Sequence, residues 1–438
     1  MPKKTLILVA IFIFCFTLAY AERETSLVIT KGAEKKISMA VSDFNCKKES
    51  QIDSQIPKEL TFILLEDLKA FNIFNIIENR EFIRDNEAAD TKSGTISFKE
   101  WSLLGANALI KANCYYEGNE LVIEGKLYDV NMGQLTIGKR YIGSQKSMRR
   151  MVHKLADEIY YRFTGQRGIA QTKIAFIAKY NGFKELFVMD FDGFNPVRLT
   201  ADNSLVISPD WSPDGKSIAY TTYRNGRPEV YNVDANTGNQ RALVTGGGLN
   251  SAPAFSPDGQ KIALSTSRDG NSEIYLFHLG GRGLTRLTNN SGIDTSPSWS
   301  PNGREVVFTS DRSGNPHLYV MDAEGTNVRR LTYHGNYNDQ AAWSPKPGER
   351  IAFSSRFGGK FDIFTIKVDG TNLQQLTVNG GNNERPRWSP DGSQILFSST
   401  RTGVPQIWVM SSDGSDQRRL TDFKEGAYSP SWSPRSPD

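Results

Sequence analysis

Hydrophobic and polar positions in the second half of the chain repeat with a period of 44 or 45 residues. The marker of each repeat is a Trp or Phe followed by Ser-Pro, and it recurs at Trp211, Phe255, Trp299, Trp343, Trp388 and Trp432. The first five copies are followed by a short β-rich run, an alternating aromatic-aliphatic run and an ending of the Leu-Thr type. A unit of this length that holds four short strands is typical of one blade of a β-propeller.

The order of the repeated segments predicts how the propeller ring closes. The first β-rich run, Ile174–Phe176, and the first Leu-Thr ending both precede the first aromatic motif, at Trp211. The chain should therefore enter its first blade at the second strand, near Lys173, and the inner strand of that blade should come from the C-terminal segment around Trp432. Such closure pairs the sheet edge that the first blade would otherwise leave exposed. We predict a six-bladed β-propeller over residues 173–438, with the motif tryptophans packed between neighbouring blades.

Residues 34–165 follow a different pattern, which predicts a small α/β domain. Helical spacing and alternating runs indicate a strand at Lys36–Phe44, helices at Ile56–Phe71, Trp101–Ile110 and Arg149–Phe163, and a hairpin of Ala112–Tyr116 with Leu121–Val130. Gly165 should cap the last helix. With a linker at 166–172, the chain is expected to be mostly β with an α/β N-terminal domain.

Residues 1–21 have the features of a secretory signal peptide. Lys3 and Lys4 precede an apolar stretch, Leu6–Leu18, that is shorter than the ~20 residues of a membrane-spanning helix. The small residues of Ala19-Tyr20-Ala21 favour cleavage after Ala21, so the mature chain should begin at Glu22.

Two cysteines, Cys46 and Cys114, lie beyond the signal peptide. An exported protein reaches a compartment that permits disulfides, so the pair is compatible with a disulfide or with two free thiols. Of these alternatives we favour two buried free thiols.

The composition argues against several classes of function. Lys and Arg number 52 against 48 Asp and Glu, an excess too small for the concentrated basic surface that nucleic-acid binding requires. Of the four histidines, no pair is spaced to share a metal, so we expect no metal site and no cofactor. A propeller hydrolase is disfavoured because no Gly-x-Ser-x-Gly motif occurs. The alternatives left open are another exported propeller enzyme and a glycan-binding protein.

Several segments outside the repeats resemble the TolB family. These segments are His153–Ile159, Thr164-Gly165, Thr172–Phe176, Phe71–Ile77, Trp101–Ala106 and Leu127–Asp129. The Ser-Pro-Asp-Gly turns alone are less specific, because other exported propellers use them. The discriminating feature is the pairing of this N-terminal domain with six such blades, and the resemblance covers essentially the whole mature chain.

The resemblance implies a binding protein rather than an enzyme. TolB proteins are monomeric periplasmic components of the Tol-Pal system, which maintains outer-membrane integrity and draws the outer membrane inward during cell division. They dock the outer-membrane lipoprotein Pal at one mouth of the propeller and contact the inner-membrane protein TolA through the start of the mature chain. Colicins exploit them in some bacteria. The chain would then meet membranes only through its partners.

The resemblance also indicates where Pal would bind. Polar residues precede each aromatic motif, in segments that we interpret as loops, and the propeller symmetry gathers them at one mouth of the channel. The predicted contacts are Asn250, Ser251, Ala252, Asp294, Thr295, Asp339, Gln340, Glu384 and Tyr428. Ala252 and Thr295 align with Pal-contacting positions of the family, and Glu384 aligns with a shared acidic position.

Residues 22–33 would form a flexible TolA-binding segment. The segment is mixed in charge and has one apolar stretch, so it can add to a partner as an extended strand. The candidate contacts are Glu22, Arg23, Leu27, Val28 and Ile29.

Overall fold

The computed structural model describes residues 36–46, 53–281, 283–345 and 347–435. Residues from Ile37 onward form one compact unit. The predicted signal peptide, 1–21, and the predicted TolA-binding segment, 22–33, lie outside the described residues.

The N-terminal region is a sheet with helices packed against it. Its elements are β1 (Ile37–Val41), β2 (Asn45–Cys46), α1 (Gln55–Ala70), β3 (Phe74–Ile76), α2 (Arg80–Ser93), α3 (Phe98–Leu103), β4 (Ala108–Glu117), β5 (Glu120–Asp129), β6 (Gln134–Gly143) and α4 (Met148–Thr164). The sheet order is β3-β1-β4-β5-β6, with β2 paired to β4. Strand β1 runs parallel to β3 and β4, whereas β4, β5 and β6 form an antiparallel meander.

Helices α1 and α4 form because their apolar residues recur at helical spacing and face the sheet. In α4, Val152, Leu155 and Ile159 are fully or almost fully buried. Gly165 ends the helix in the left-handed conformation, with φ of 67°, which confirms the predicted glycine cap.

The predicted helix at Trp101–Ile110 is wrong in its second half. Helix α3 ends at Leu103, and β4 begins at Ala108. Ala108, Leu109 and Ile110 are buried in the sheet between β1 and β5, where a continuous apolar run suits a strand covered on both faces.

Cys46 and Cys114 form a disulfide, so the interpretation as two free thiols is wrong. The cause lies in the sheet register. The short strand β2 pairs in parallel with β4 and places Cys46 directly opposite Cys114, with a Cα–Cα distance of 4.4 Å. This spacing falls at the short end of the range that a disulfide bridges.

The propeller consists of six four-stranded antiparallel blades. Blade 1 contains β7 (Lys173–Tyr180), β8 (Phe183–Asp190) and β9 (Val197–Arg198); blade 2 contains β10 (Val206–Trp211), β11 (Ser217–Thr222), β12 (Glu229–Asp234) and β13 (Gln240–Val244); blade 3 contains β14 (Asn250–Phe255), β15 (Lys261–Thr266), β16 (Glu273–His278) and β17 (Gly283–Arg286). Blade 4 contains β18 (Asp294–Trp299), β19 (Glu305–Ser310), β20 (His317–Asp322) and β21 (Arg329–Arg330); blade 5 contains β22 (Asn338–Trp343), β23 (Arg350–Phe357), β24 (Lys360–Lys367) and β25 (Gln374–Gln375); blade 6 contains β26 (Asn383–Trp388), β27 (Gln394–Ser399), β28 (Gln406–Ser411) and β29 (Arg418–Arg419). The last strand, β30 (Ala427–Trp432), completes blade 1.

Ring closure occurs as predicted. Strand β30 pairs with β7, with Trp432 opposite Ile174, and thereby supplies the inner strand of blade 1. The predicted position of the tryptophans between blades is also confirmed. The indole nitrogens of Trp299 and Trp388 donate hydrogen bonds to backbone carbonyls of the preceding blades, at Ala254 and Ala342 respectively.

Candidate binding site at the propeller mouth

Every inner strand carries the same backbone irregularity at one end of the channel. The register with the second strand shifts between the second and the fifth residue of the inner strand, as between Thr295 and Ser298 in blade 4. The third residue has a positive φ in all six blades, at Ser208, Ala252, Ser296, Gln340, Arg385 and Ser429. Non-glycine residues rarely adopt positive φ, and strain of this kind concentrates at functional sites. The bulges re-aim the neighbouring side chains toward the mouth.

A belt of hydroxyl groups fixes these bulges. The fifth residue of a second strand reaches the inner strand of the next blade. The Thr221 hydroxyl accepts a hydrogen bond from the Ala252 backbone nitrogen at 3.1 Å. The Ser265 hydroxyl donates to the Thr295 hydroxyl at 3.1 Å. The belt joins neighbouring blades, so the mouth is held rigid before any partner arrives.

In blades 5 and 6 the belt extends to charged and amide side chains. The Thr309 hydroxyl donates to the Asp339 carboxylate at 2.8 Å, and the Asp339 carboxylate also accepts from the Gln340 backbone nitrogen. The Ser354 hydroxyl accepts from the Arg385 backbone nitrogen at 2.9 Å. The predicted contacts Asp339 and Gln340 therefore belong to this hydrogen-bonded network, and the predicted contact Glu384 adjoins it in the sequence.

The structure divides the predicted Pal contacts into two groups. All of them lie in inner strands, so the interpretation of these segments as loops is wrong. Asn250 and Asp294 are fully buried. The Asn250 side chain donates to the Gly246 carbonyl at 2.8 Å, and the Asp294 carboxylate accepts from Arg312 at 2.7 Å. Both side chains stabilise the blade instead of facing a partner. The half-buried group is Ser251, Ala252, Thr295, Asp339, Gln340, Glu384 and Tyr428.

Charges of both signs surround the mouth. Burial raises the pKa of Glu384, while the neighbouring Arg385 lowers it and Asp339 raises it further. The Lys184 ammonium lies 4.1 Å from the centre of the Tyr428 ring, in the geometry of a cation–π contact. Lys184 escaped the sequence prediction, because it lies in β8, outside the inner strands in which the predicted contacts fall.

A half-buried acid and a half-buried base lie deeper in the channel. Asp210 and Arg387 occupy the fifth position of their inner strands and interact electrostatically across the ring. Burial raises the pKa of Asp210 to about 6, against the opposing effect of Arg387. The channel therefore carries two opposite charges below the mouth, and each offsets the other. The repeated sequence motif alone does not predict this pair.

A second polar cluster joins the N-terminal region to the propeller. The His153 ring nitrogen Nδ1 lies 2.7 Å from the Asp67 carboxylate, and both side chains are almost fully buried. Asp192, in the turn after β8, lies close enough that the three residues could together ligate a metal ion. Arg149 already forms an ion pair with Asp192, so a cation would have to displace a guanidinium. The cluster is therefore better suited to hold two parts of the molecule together than to bind a metal.

Two family models match the chain. The TolB amino-terminal domain matches residues 25–136, and the TolB β-propeller domain matches residues 160–347 and 342–437. The chain belongs to the TolB family. The resemblance found in the sequence is thereby confirmed over most of the chain length.

Relatives and solved structures agree with this assignment. The chain is 42% identical over 163 residues to the Tol-Pal system protein TolB of Syntrophotalea carbinolica and 34% identical over 222 residues to that of Desulfosudis oleivorans. These alignments cover 37% and 51% of this chain, and they span 38% and 50% of the relatives, half of their length or less. The crystal structure of TolB from Acinetobacter baumannii superposes with a TM-score of 0.79 at 26% identity, covering 92% of this chain and 97% of that one. Among the described residues, none of the helices has the length and apolar run needed to cross a bilayer.

Proposed function

We propose that this chain is a non-catalytic, periplasmic component of the Tol-Pal system that bridges the lipoprotein Pal and the inner-membrane protein TolA. The bridge would maintain outer-membrane integrity and support invagination of the outer membrane during division. The support comes from family membership and from relatives that carry the name Tol-Pal system protein TolB.

The repeated bulge at the mouth is the structural observation that carries the Pal part of the proposal. Six inner strands present half-buried side chains on a rigid ring, and the hydroxyl belt removes most of the entropy that ordering them would cost on binding. Small side chains at Ala252 and Thr295 leave room for a close-packed partner surface. Asp339, Glu384 and Lys184 would then fix the orientation of the partner through charge.

Blade 1 offers a physical route from the mouth to the N-terminal region. Its inner strand places Tyr428 at the mouth, and the turn after β8 places Phe191 5.6 Å from the His153 ring in α4. The core that contains Phe176 and Ile174 of this blade continues without a break into the residues that pack between α1, α4 and the sheet. This contiguous packing reaches the N-terminal region from Ile37 onward, and we propose that Pal docking acts through it on residues 22–33.

Two binding measurements test the proposal. The mature chain, from Glu22, is titrated with the periplasmic domain of Pal and, separately, with the periplasmic domain of TolA. Binding to both is expected. Failure to bind Pal would contradict the proposed docking function.

A truncated chain that starts at Lys35 separates the two partner sites. We expect it to keep Pal binding and lose TolA binding. Replacing Leu27, Val28 and Ile29 with serine should nearly reproduce the loss, since these side chains would fill the partner's pockets. Retained TolA binding by the truncated chain would contradict the assignment of residues 22–33.

A further inference from the structure

Three blades share a slot in which an arginine side chain lies on aromatic rings. The guanidinium carbons of Arg224, Arg312 and Arg401 lie 4.6, 5.0 and 4.5 Å from the ring centres of Tyr231, Tyr319 and Trp408, each on the third strand of its blade. These are cation–π distances. The slot opens near the hairpin that joins the second and third strands, at the same end of each blade as the mouth.

In blades 4 and 6 the arginine donates hydrogen bonds to two equivalent positions, a serine of the second strand and the first residue of the inner strand. Arg312 donates to the Ser310 hydroxyl at 2.9 Å and to the Asp294 carboxylate at 2.7 Å. Arg401 donates to the equivalent Ser399 at 2.9 Å and to Asn383 at 3.0 Å. The slot thus has a fixed design of two aromatic rings on the second and third strands, one hydroxyl and one oxygen acceptor from the inner strand.

Blade 5 keeps this design but not the arginine. Asn338 pairs with Ser355 across the strands, as Asp294 pairs with Ser310, and Phe353 stacks on Phe364 with ring centres 6.0 Å apart. The position two residues after the serine, occupied by Arg312 and Arg401 in blades 4 and 6, is Phe357, in a hairpin that the Gly-Gly turn tightens.

A cavity of about 270 Å³ lies at this place. Its lining includes Phe353, Phe364, Leu373 and the side chains of Ser355 and Asn338. Asn338 is 1% exposed, and its oxygen Oδ1 has no hydrogen-bond partner among the described residues. A buried acceptor without a donor costs free energy, which a ligand that donates a hydrogen bond would recover.

The charge of this cavity differs from that of the arginine slots. One residue of the third strand in the preceding blade lies beside the slot, and it is acidic before the slots of blades 4 and 6, at Glu273 and Asp362. Before blade 5 it is His317, whose ring nitrogen lies 2.9 Å from the Asn338 side-chain nitrogen. Burial lowers the pKa of His317, and Arg330 lowers it further, and both effects favour the neutral ring. A cation would find no carboxylate at this position.

Blade 1 shows what a neutral slot accepts. There the equivalent residue of the preceding blade is Gln406, and the arginine position is Tyr180. Phe423, from the loop before β30, fills the slot, with its ring centre 5.4 Å from both Phe176 and Phe187 in edge-on contacts. In blade 5 the residue equivalent to Phe423 is His334, since each lies two residues after the threonine of its Leu-Thr ending. The blade 5 slot is open, with the cavity described above.

We propose that the blade 5 slot binds an uncharged aromatic side chain with a hydrogen-bond donor on its edge, a tryptophan or tyrosine of a partner polypeptide. The rings of Phe353 and Phe364 supply the apolar contact, and Asn338 Oδ1 accepts the hydrogen bond. The cavity is smaller than the roughly 300–1,000 Å³ of sites for drug-sized molecules, which suits one side chain. Asn338 begins the strand that brings Asp339 and Gln340 to the mouth, so a partner at the mouth lies within reach.

Ligand-observed NMR with small probes tests the chemistry of the slot. We expect indole to bind, 1-methylindole to bind several-fold more weakly because it cannot donate, and guanidinium not to compete with indole. Asn338→Ala should abolish the difference between the two indoles. Competition by guanidinium, or equal binding of both indoles to the unmodified chain, would overturn the proposal.

Two matched variants locate the site. His334→Phe should fill the slot as Phe423 fills its counterpart, and indole binding should be lost. Phe423→Ala should open a second site in blade 1 that does not distinguish the two indoles, because Ala427 and Ala178 stand there in place of the asparagine and serine. Unchanged indole binding in His334→Phe would place the site elsewhere and overturn the assignment.

N-acetyltryptophan amide distinguishes a polypeptide ligand from a free small molecule. Binding comparable to that of indole, and lost in His334→Phe, is the expected result. Exclusion of the capped residue while free indole binds would show that the slot does not admit a side chain attached to a backbone, and would overturn the partner assignment.

Discussion

The Trp432 indole nitrogen donates a hydrogen bond to the Thr172 hydroxyl at 2.8 Å. The contact joins the last strand of the propeller to the segment that leaves the N-terminal region. The same seam is held by the Ser433 backbone nitrogen, which donates to the Lys173 carbonyl at 2.8 Å. Ring closure and attachment of the N-terminal region therefore share one set of residues.

Trp432→Ala should lower the free energy of unfolding by about 3–5 kcal/mol, because it leaves a cavity at this seam. Thr172→Val removes this hydrogen bond and the one that the Thr172 hydroxyl donates to the Ile169 carbonyl at 2.6 Å, and should cost about 1–3 kcal/mol. Deletion of residues 429–438 should be more severe than either, since blade 1 loses its inner strand. Denaturant unfolding measures all three, and an unchanged midpoint in the deletion and in Trp432→Ala would refute the closure.

The disulfide should contribute about 4 kcal/mol to stability, from the chain entropy of a loop that spans 68 residues. The double variant Cys46→Ser, Cys114→Ser should therefore unfold at a lower temperature than the oxidised chain. A reductant should lower the thermal midpoint of the unmodified chain and leave that of the variant unchanged. Equal sensitivity of both to the reductant would contradict the bond.

The sequence predicts the propeller well and the N-terminal region less well, for a physical reason. Each blade repeats the same turn and strand pattern, so an ambiguous segment such as that of Phe255 is settled by its five counterparts. The segment Trp101–Ile110 has no counterpart, and its apolar run suits a helix or a strand until β1 and β5 are known to flank it. Helix α2 was missed because only Ile83 and Asp90 of its residues are buried.

The mouth was only partly predictable. Its position follows from the repeat, but the positive φ at Ala252 and Gln340 does not, since nothing in these residue types requires it. Burial of Asp294 depends on its ion pair with Arg312, beyond the second strand of the blade, and the pairing of Cys46 with Cys114 depends on the register of β2. Such long-range placement is absent from local pattern.

The His153–Asp67 pair should make stability depend on pH. Burial raises the pKa of Asp67 from 3.8 to about 7, against the effect of His153. Burial lowers the pKa of His153, but the charge and hydrogen bond of Asp67 raise it above its usual value. Both groups bind protons more tightly in the folded state than in the unfolded state. The contribution of the pair to the free energy of unfolding is therefore fully present at low pH, and it is lost as pH rises from about 4 past 7.

Asp67→Asn should reverse this dependence. Without the Asp67 carboxylate, burial lowers the pKa of His153 against the smaller opposing effect of Asp192, so the contribution of His153 to stability should grow as pH rises through the usual titration range of histidine. Thermal midpoints from pH 5 to 8 measure the two slopes. The same slope in both proteins would show that the pair does not control the pH dependence.

The bulge at Ala252 predicts a graded response to side-chain size. Ala252→Gly should change the free energy of unfolding by less than about 1 kcal/mol, because glycine adopts the observed φ of 52° freely. Ala252→Val should cost about 1–2 kcal/mol, because a β-branched residue is strained at positive φ. Equal stability of the two variants in denaturant unfolding would contradict the bulge.

The central claim is that the propeller mouth docks Pal. Arginine at position 252 or 295 should overfill a close-packed contact, and Glu384→Lys should weaken binding where the facing surface is basic. Val197→Arg is the matched control, because Val197 is 58% exposed on the outer strand β9 and gains the same charge away from the mouth.

Titration calorimetry of the Pal periplasmic domain with Thr295→Arg is the most direct measurement. We expect a loss of at least about 2 kcal/mol of binding free energy in a variant that still unfolds cooperatively well above the assay temperature, and undiminished binding by Val197→Arg. Binding by Thr295→Arg and Ala252→Arg that equals that of the unmodified chain would contradict the account.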